Sequence, residues 1–572
     1  MDNQRLLIWA FFGLMAWMTY QTWQQDYAPR PVPPAAQQAQ RSPELSAMDA
    51  GDEGALPELG EATAAPALAD DTIAAPEAST ATLAPSVRVR TDVLEVEIST
   101  QGGTLQKAVL LNYPVAKDTP DTLVELLSAS PDTTGLIESG VRASGGGAEA
   151  THLDMFTSRQ QSYELDGSEE LVVPLTWTDE SGVQIEKRYR FKRGSYEIGL
   201  EQQVTNDSDV LWRGAEYVRI KRHFQEQERS MFDVDSYSFA GPIIYNGEKS
   251  EKLDRDDLIE DGKYTYTSDK GWFGSIQHHF LSAAIPTSGV EHNFEVVVAG
   301  DNSISSAIGR NIETIAPGSS KTFETTLFVG PKLQSQLEQI DESLKLTVDY
   351  GWLTIISQPL FWLLSKVFGF VGNWGVAIIV VTLLIKLAFY KLTESSGRSM
   401  AKMRNLQPRM KALQDRYKDD RQALSQAMMD LYKREKVNPA AGCLPILIQM
   451  PFFLAFYWVL LESVEMRQAP FALWITDLST RDPYFILPLI MGAAMFMQQK
   501  LNPAPADPVQ AKVMQIMPIM FTGFFAFFPS GLVLYWVTNT LLSIAQQWKI
   551  NTVVEAEAKA QKGGKKKKKD AE

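Results

Sequence analysis

Apolar residues fall into three zones along the chain, and each zone has its own period. Positions 6–20 (LLIWAFFGLMAWMTY) form one continuous apolar run, extended to Trp23 by weakly polar residues. That length is near the lower limit for a helix that crosses a bilayer. A cleavable signal would place small residues just after the run; Thr22, Trp23 and Gln24 stand there instead. The run therefore reads as a retained anchor. The next stretch, 28–85, is rich in Pro, Ala, Gln and acidic residues. It has too little large apolar surface to offset its ordering entropy, and reads as a disordered tether.

From about residue 86 the period becomes two. Leu94, Val96 and Ile98 alternate with Glu95, Glu97 and Ser99 before Gly102-Gly103. Val183, Ile185, Tyr189 and Phe191 alternate with Gln184, Glu186, Arg188 and Arg190, bracketed by Ser181-Gly182 and Gly194-Ser195. Tyr196, Ile198, Leu200 and Val204 continue to Asn206-Asp207. Alternation with closely spaced turns predicts antiparallel strands in a large sandwich, ending near Val329. The adjacent His278 and His279 have no further ligands clustered around them in sequence, and read as ordinary strand or loop residues.

A helix is expected over 334–346, and beyond 350 long apolar runs return. The stretch 350–371 contains Pro359, which is expected to divide it into two pieces too short to span. It reads as an interfacial amphipathic segment. Five candidate spans follow at 374–392, 444–461, 484–501, 513–527 and 532–547. Between the first two, 394–443 holds two helical stretches, 400–417 and 422–436, joined at Lys418-Asp419-Asp420-Arg421. They predict an antiparallel hairpin. Its methionines Met400, Met403, Met410, Met428 and Met429 suit adaptable hydrophobic contacts with a substrate; a seam closed on itself is the alternative.

Charge sets the orientation. The 394–443 loop carries eleven Lys and Arg and the tail after Trp548 eight, whereas 464–482 carries only Arg467 and Arg481. The positive loops are expected in the cytoplasm, which puts 464–482 and the sandwich outside and both termini inside. The resulting domain plan is an anchor at 1–25, a tether at 26–85, a sandwich at 86–333, and a linker with interfacial helix at 334–372. A five-span core at 373–549 and a basic tail at 550–572 complete it. The net charge of −15 argues against DNA as a partner. The single cysteine, Cys443, excludes an internal disulfide, and no metal site or cofactor motif is legible.

Lys386 lies inside VVTLLIKLAFY. An ionisable residue there costs on the order of 2.5–3.5 kcal/mol at the bilayer centre, so it should face a wet or protein-lined cavity, or snorkel to the cytoplasmic headgroups. Thr382 lies one turn earlier on the same face. Gln449, Thr538 and Asn539 are further polar residues within spans, and each alone is more often helix–helix glue than a site.

The segments MAKMRNLQPRMKALQDRYKDD, LYKREKVNPAAGCLPILIQMPFFLAFYWVL, VEMRQAPFALWITDLSTRDPYFILPLIMG and FPSGLVLYWV closely resemble the YidC family of Gram-negative bacteria, as do LFVGPKL and TVDYGWLTIISQPL. The resemblance covers nearly the whole chain and is weakest in the tether and tail. It implies a multi-domain inner-membrane protein: an N-terminal anchor helix, a periplasmic antiparallel β-supersandwich, and an α-helical core of five transmembrane segments with a cytoplasmic hairpin. It implies an insertase and chaperone rather than an enzyme, acting on nascent membrane proteins in the phospholipid bilayer, alone or with the Sec translocon. Ribosome-bound substrates are implied too, and the lysine run of the tail would meet either ribosomal phosphates or anionic lipid. In this reading Lys386 stands where the family commonly has Arg, keeping the charge without the planar fork. Thr382, Gln449, Thr538 and Asn539 take the family's polar groove positions, and Tyr535-Trp536 its aromatic pair. A secondary transporter would show inverted repeats and broken helices, and the sequence has no internal repeat. A tethered carbohydrate enzyme would need paired carboxylates in a cleft.

Overall fold

The computed structural model describes residues 56–57, 84–117, 119–224, 238–417, 420–435, 444–501 and 508–569. The expected anchor, most of the tether and Cys443 lie outside them.

The period-two region forms two sheets packed face to face, of eleven and nine strands among the described residues. Strand Val183–Lys192 buries every second side chain, and so does its antiparallel partner Glu197–Asn206. Ile198 stands opposite Phe191, Leu200 opposite Tyr189 and Val204 opposite Ile185. These apolar cross-strand pairs fill a core shared by both sheets. Gly182, at φ +94°, turns the chain into the first of these strands, and a Cβ there would meet the Asp207 carbonyl at 3.1 Å.

The same register sends Lys187 inward. Its ammonium donates to Gly102 O at 2.6 Å, Ser139 O at 2.7 Å and Ser139 Oγ at 3.0 Å. It lies 4.7 Å from the centre of the Phe156 ring. Burial pushes this amine down to about 7. Two tether residues also meet the sandwich: Leu56 packs on Ala215, Tyr217 and Ile308, and Arg142 Nη1 donates to Pro57 O at 2.9 Å.

The helical part comprises α1 (Thr354–Val371), α2 (Trp374–Ala388), α3 (Tyr390–Arg416), α4 (Arg421–Arg434), α5 (Leu444–Glu462), α6 (Ile486–Leu501), α7 (Pro508–Phe525) and α8 (Ser530–Lys569). Within the linker, the expected helix is Gln334–Ile340, followed by a 3-10 segment, Glu342–Thr347. By length and composition among the described residues, α1 alone is long and apolar enough to cross a membrane; α2 and α3 would qualify as one span bent by 69°. The described apolar parts of α5, α6 and α7 are shorter.

One expectation needs correction. Pro359 does not divide 350–371, because α1 runs through it. The proline sits in the second turn, so the carbonyl its ring crowds, that of Ile355, belongs to the first turn and has room to tilt. Both ends of α1 are held by one loop. Tyr350 OH meets Ser463 Oγ at 3.4 Å, and Asn373 Nδ2 donates to Phe471 O at 2.9 Å. Past the last expected span the helix continues: α8 is one helix of 40 residues. The stretch after Lys549 is rich in good helix formers (VVEAEAKAQ), and Ile550 and Val554 pack on Ala401 of α3.

Sandwich and helices are joined by a buried polar junction. Lys332 Nζ lies 3.3 Å from Glu462 Oε2 at the end of α5, with both side chains at most 9% exposed. Glu465 Oε1 accepts from Gln334 N at 3.2 Å. Burial pushes the Glu465 carboxyl up to about 7 and lowers the Lys332 amine. His278 and His279 stack at 3.7 Å and both bring Nε2 to Leu461 O, at 3.2 and 2.9 Å. The histidine pair is thus a packing contact between the two parts of the molecule.

Candidate functional site

Helices α5, α6, α7 and α8 enclose a cavity of about 400 Å³. The walls follow from helical spacing. Tyr535, Trp536, Asn539, Thr540 and Ser543 line it from α8, one stripe of a 3.6-residue period. Gln449, Met450 and Phe453 line it from α5, Met495, Gln498 and Gln499 from α6, and Met514, Met517, Pro518 and Phe521 from α7. The lining is mostly apolar, thioether and aromatic, and amides from α5, α6 and α8 and the hydroxyls of Thr540 and Ser543 are set among these groups.

The aromatic pair is held firmly. Tyr535 stacks on Phe456 at 4.4 Å, and Trp536 stands edge-on to Phe453 at 4.7 Å. Gln449 Nε2 reaches Asn539 Oδ1 at 3.5 Å, the outer limit of a hydrogen bond.

Lys386 approaches from α2. Its Nζ crosses to α8 and donates to Ser543 Oγ at 2.7 Å. Ser543 in turn donates to Asn539 O at 2.7 Å, so the lysine joins the polar wall through a residue the sequence reading did not select. Lys386 is 7% exposed and forms no ion pair among the described residues.

Gln449, Tyr535, Trp536 and Asn539 thus meet around one cavity, with Lys386 at its edge. Three expected groove residues do not line it; Lys386 reaches it only through Ser543, and the other two are threonines. Thr382 is buried, and its hydroxyl donates to Ile378 O of its own helix at 2.6 Å. Thr538 is also buried but points off the lining stripe. Ser543, one turn beyond Asn539 on α8, was not among the expected residues. The methionines of α6 and α7 that face the cavity were not among the expected residues.

In the helix pair α3 and α4, Met403, Met410 and Met428 pack with Leu406, Leu431 and Tyr432 in the seam between the two helices. Met400 and Met429 are half-buried outside that cluster. Asp420 caps α4 by accepting from Gln422 N and Ala423 N, and Arg409 pairs with Glu435 at 2.6 Å. The base of α3 is fastened to α8 by Arg398–Glu557 at 3.1 Å. No group of three or more His, Cys, Asp or Glu among the described residues could hold a metal ion.

The solved structure of an active YidC insertase with its first transmembrane domain resolved aligns with 81% of this chain and 94% of its own, at a TM-score of 0.37 and 19% identity. Residues 86–363 match the YidC periplasmic domain family, and 366–558 match the 60Kd inner membrane protein family. The membrane protein insertase YidC of Nitrosococcus oceani is 44% identical over 97% of this chain and 100% of its own length. That of Thioalkalivibrio sulfidiphilus is 46% identical over 98% and 100%. This chain accordingly belongs to the YidC family of membrane protein insertases, non-enzymatic inner-membrane proteins with a periplasmic β-sandwich domain and a helical membrane core.

Proposed function

We propose that the cavity between α5 and α8 is the hydrophilic groove of the insertase, and that Lys386 draws acidic segments of an incoming membrane protein into it. The observation that carries this reading is the buried Lys386 ammonium, whose one hydrogen-bond partner, Ser543, is neutral. A carboxylate within about 4 Å of it would gain roughly 4 kcal/mol at an effective dielectric of 20, against about 1 kcal/mol in water. Gln449, Asn539 and Thr540 replace water around the polar tail. The Met and Phe side chains of the lining offer a path for the apolar segment to move sideways into lipid.

In this reading α2, α5, α6, α7 and the first half of α8 are the five core spans, with the anchor as a sixth. The Lys and Arg counts support cytoplasmic termini and a cytoplasmic α3–α4 hairpin. The shared tether of its two ends supports α1 lying along the outer interface, below the sandwich. The hairpin captures substrate by opening its Met403, Met410 and Met428 seam. The ribosome would meet the basic hairpin and tail, and the Sec translocon is the partner the family resemblance implies for larger substrates.

The test is protease accessibility of the translocated tail, for substrates that differ only in tail charge. Lys386→Arg should retain activity. Lys386→Ala should impair acidic tails most and neutral tails least, and Lys386→Glu should be worst for acidic tails. An equal loss for every substrate, with the protein folded, would assign Lys386 a structural role instead.

A further inference from the structure

A second cavity, of about 630 Å³, lies where the sandwich meets the loop that connects α5 to α6. It is held open by contacts across the two parts of the molecule. Arg467 donates to Pro114 O at 3.0 Å and to Val115 O at 2.9 Å, and its guanidinium lies 5.3 Å from the centre of the Phe280 ring. Lys117 donates to Thr476 O. Three cationic side chains, Lys117, Arg467 and Arg481, line the space against a single carboxylate, Asp477. Oδ1 of Asp477 already accepts from Gln468 N, Ser479 N and Ser479 Oγ. Lys117 and Arg481 form no ion pair among the described residues. The site is therefore positive, and its volume is within the range of ligand pockets, roughly 300–1,000 Å³.

The floor is apolar. Phe280, Leu460, Leu461 and Phe485 line it. Phe485 is also the first of an exposed stripe, since Leu489 one turn along α6 is 62% exposed and Phe496 two turns further is 48% exposed. Cations above and a bare apolar helix face below match an anionic amphiphile, not a soluble anion.

We propose that this cavity binds the anionic phosphodiester headgroup of a phospholipid in the outer leaflet, with an acyl chain lying along Phe485, Leu489 and Phe496. The leaflet rests on the orientation given under Proposed function; the lipid contact itself does not. Bound there, the lipid seals the gap between sandwich and core and fixes the depth of α6. An acidic peptide would be drawn by the same cations but has no use for the stripe.

Native mass spectrometry of the full chain in detergent tests this, with phosphatidylglycerol and phosphatidylcholine of identical acyl chains as probes. Phosphatidylglycerol should bind more tightly, and Lys117→Gln with Arg481→Gln should reduce that preference by about thirtyfold. Lys321→Gln on the sandwich, removing one remote surface charge, should leave it unchanged. Lys117→Arg with Arg481→Lys should restore it, which separates a charge requirement from misfolding. Equal binding of both lipids, or a preference that survives the double Gln variant, would overturn the proposal. Displacement of the lipid by millimolar inorganic phosphate would show a soluble-anion site, and displacement by an Asp-rich peptide a station for translocated tails; either would overturn it. Because the readout is lipid bound in detergent, its failure is distinct from any failure of the insertion mechanism.

Discussion

Replacing Lys332 by Met leaves the Glu462 carboxylate buried without its ammonium. The two charged atoms are 3.3 Å apart, which gives an attraction of roughly 5 kcal/mol at an effective dielectric of 20. Desolvation of both ions consumes most of that, so the intact pair adds little net stability, but breaking it strands a charge and costs about 3–5 kcal/mol. The loss should appear locally, because Lys332 also donates to Thr347 O at 3.4 Å and leads directly into Gln334–Ile340. Hydrogen exchange of the amides in Gln334–Ile340 and Glu342–Thr347 reads the opening of the junction. Lys332→Met should speed it by between about a hundredfold and a few thousandfold. Glu462→Leu alone should do the same, by leaving the lysine stranded. The double variant should return to within about 1 kcal/mol of the parent, because both charges are gone and the volumes are kept. If the double variant exchanges as fast as the two singles combined, the residues act independently and the buried pair is not what closes the junction.

Glu465 adds a pH dependence to the same place. Its carboxyl titrates near 7 in the fold against 4.5 in the open chain, so the fold binds the extra proton between those values and the junction tightens as pH falls from about 7 to 4.5. Glu465→Gln should abolish that trend in the exchange of Gln334–Ile340; a trend that persists assigns it to another group. Deleting 410–428 should abolish insertion while leaving the helical core folded by circular dichroism, and normal insertion by that deletion would remove the hairpin from the capture step. A truncation that keeps the anchor but lacks most of 90–320 should still insert small substrates in a proteoliposome assay. It must stop short of Lys332, because a cut that removes Lys332 should expose α5 to proteolysis; equal protection of the two truncations would contradict the role given to the junction.

The sandwich was legible because its burial has a period of two, as along Val183–Lys192. The same strand shows the limit. Lys187 reads as a polar interruption of the alternation, and only the close approach of Gly102 and Ser139 from other strands explains how a lysine can face the core. Lys386 stood out because nothing else in its run is ionisable. Its partner did not, since Ser543 is 157 residues away and a serine in an apolar helix carries no signature of its own. Thr382 and Thr538 were selected for polarity, but a hydroxyl in a helix has a ready acceptor four residues back, which is where Thr382 turns. Helix α5 is apolar on every side, so no periodicity identified its groove face. Pro359 misled because the rule for proline in a helix interior was applied without knowing that the helix begins only five residues earlier.

The last helix has a mechanical consequence. Helix α8 extends from the turn at Ser530 to Lys569 without a break, a rod of about 60 Å. Near one end it carries the aromatic and amide side chains of the cavity; further along, Ile550, Val554 and Glu557 contact the base of α3. Between Ser543 and Glu557 there is no proline, glycine or turn to act as a joint. Movement of the α3–α4 pair would have no proline, glycine or turn in this stretch at which to be taken up before it reached Tyr535 and Trp536. One unbroken helix thus joins the α3–α4 pair to the cavity wall.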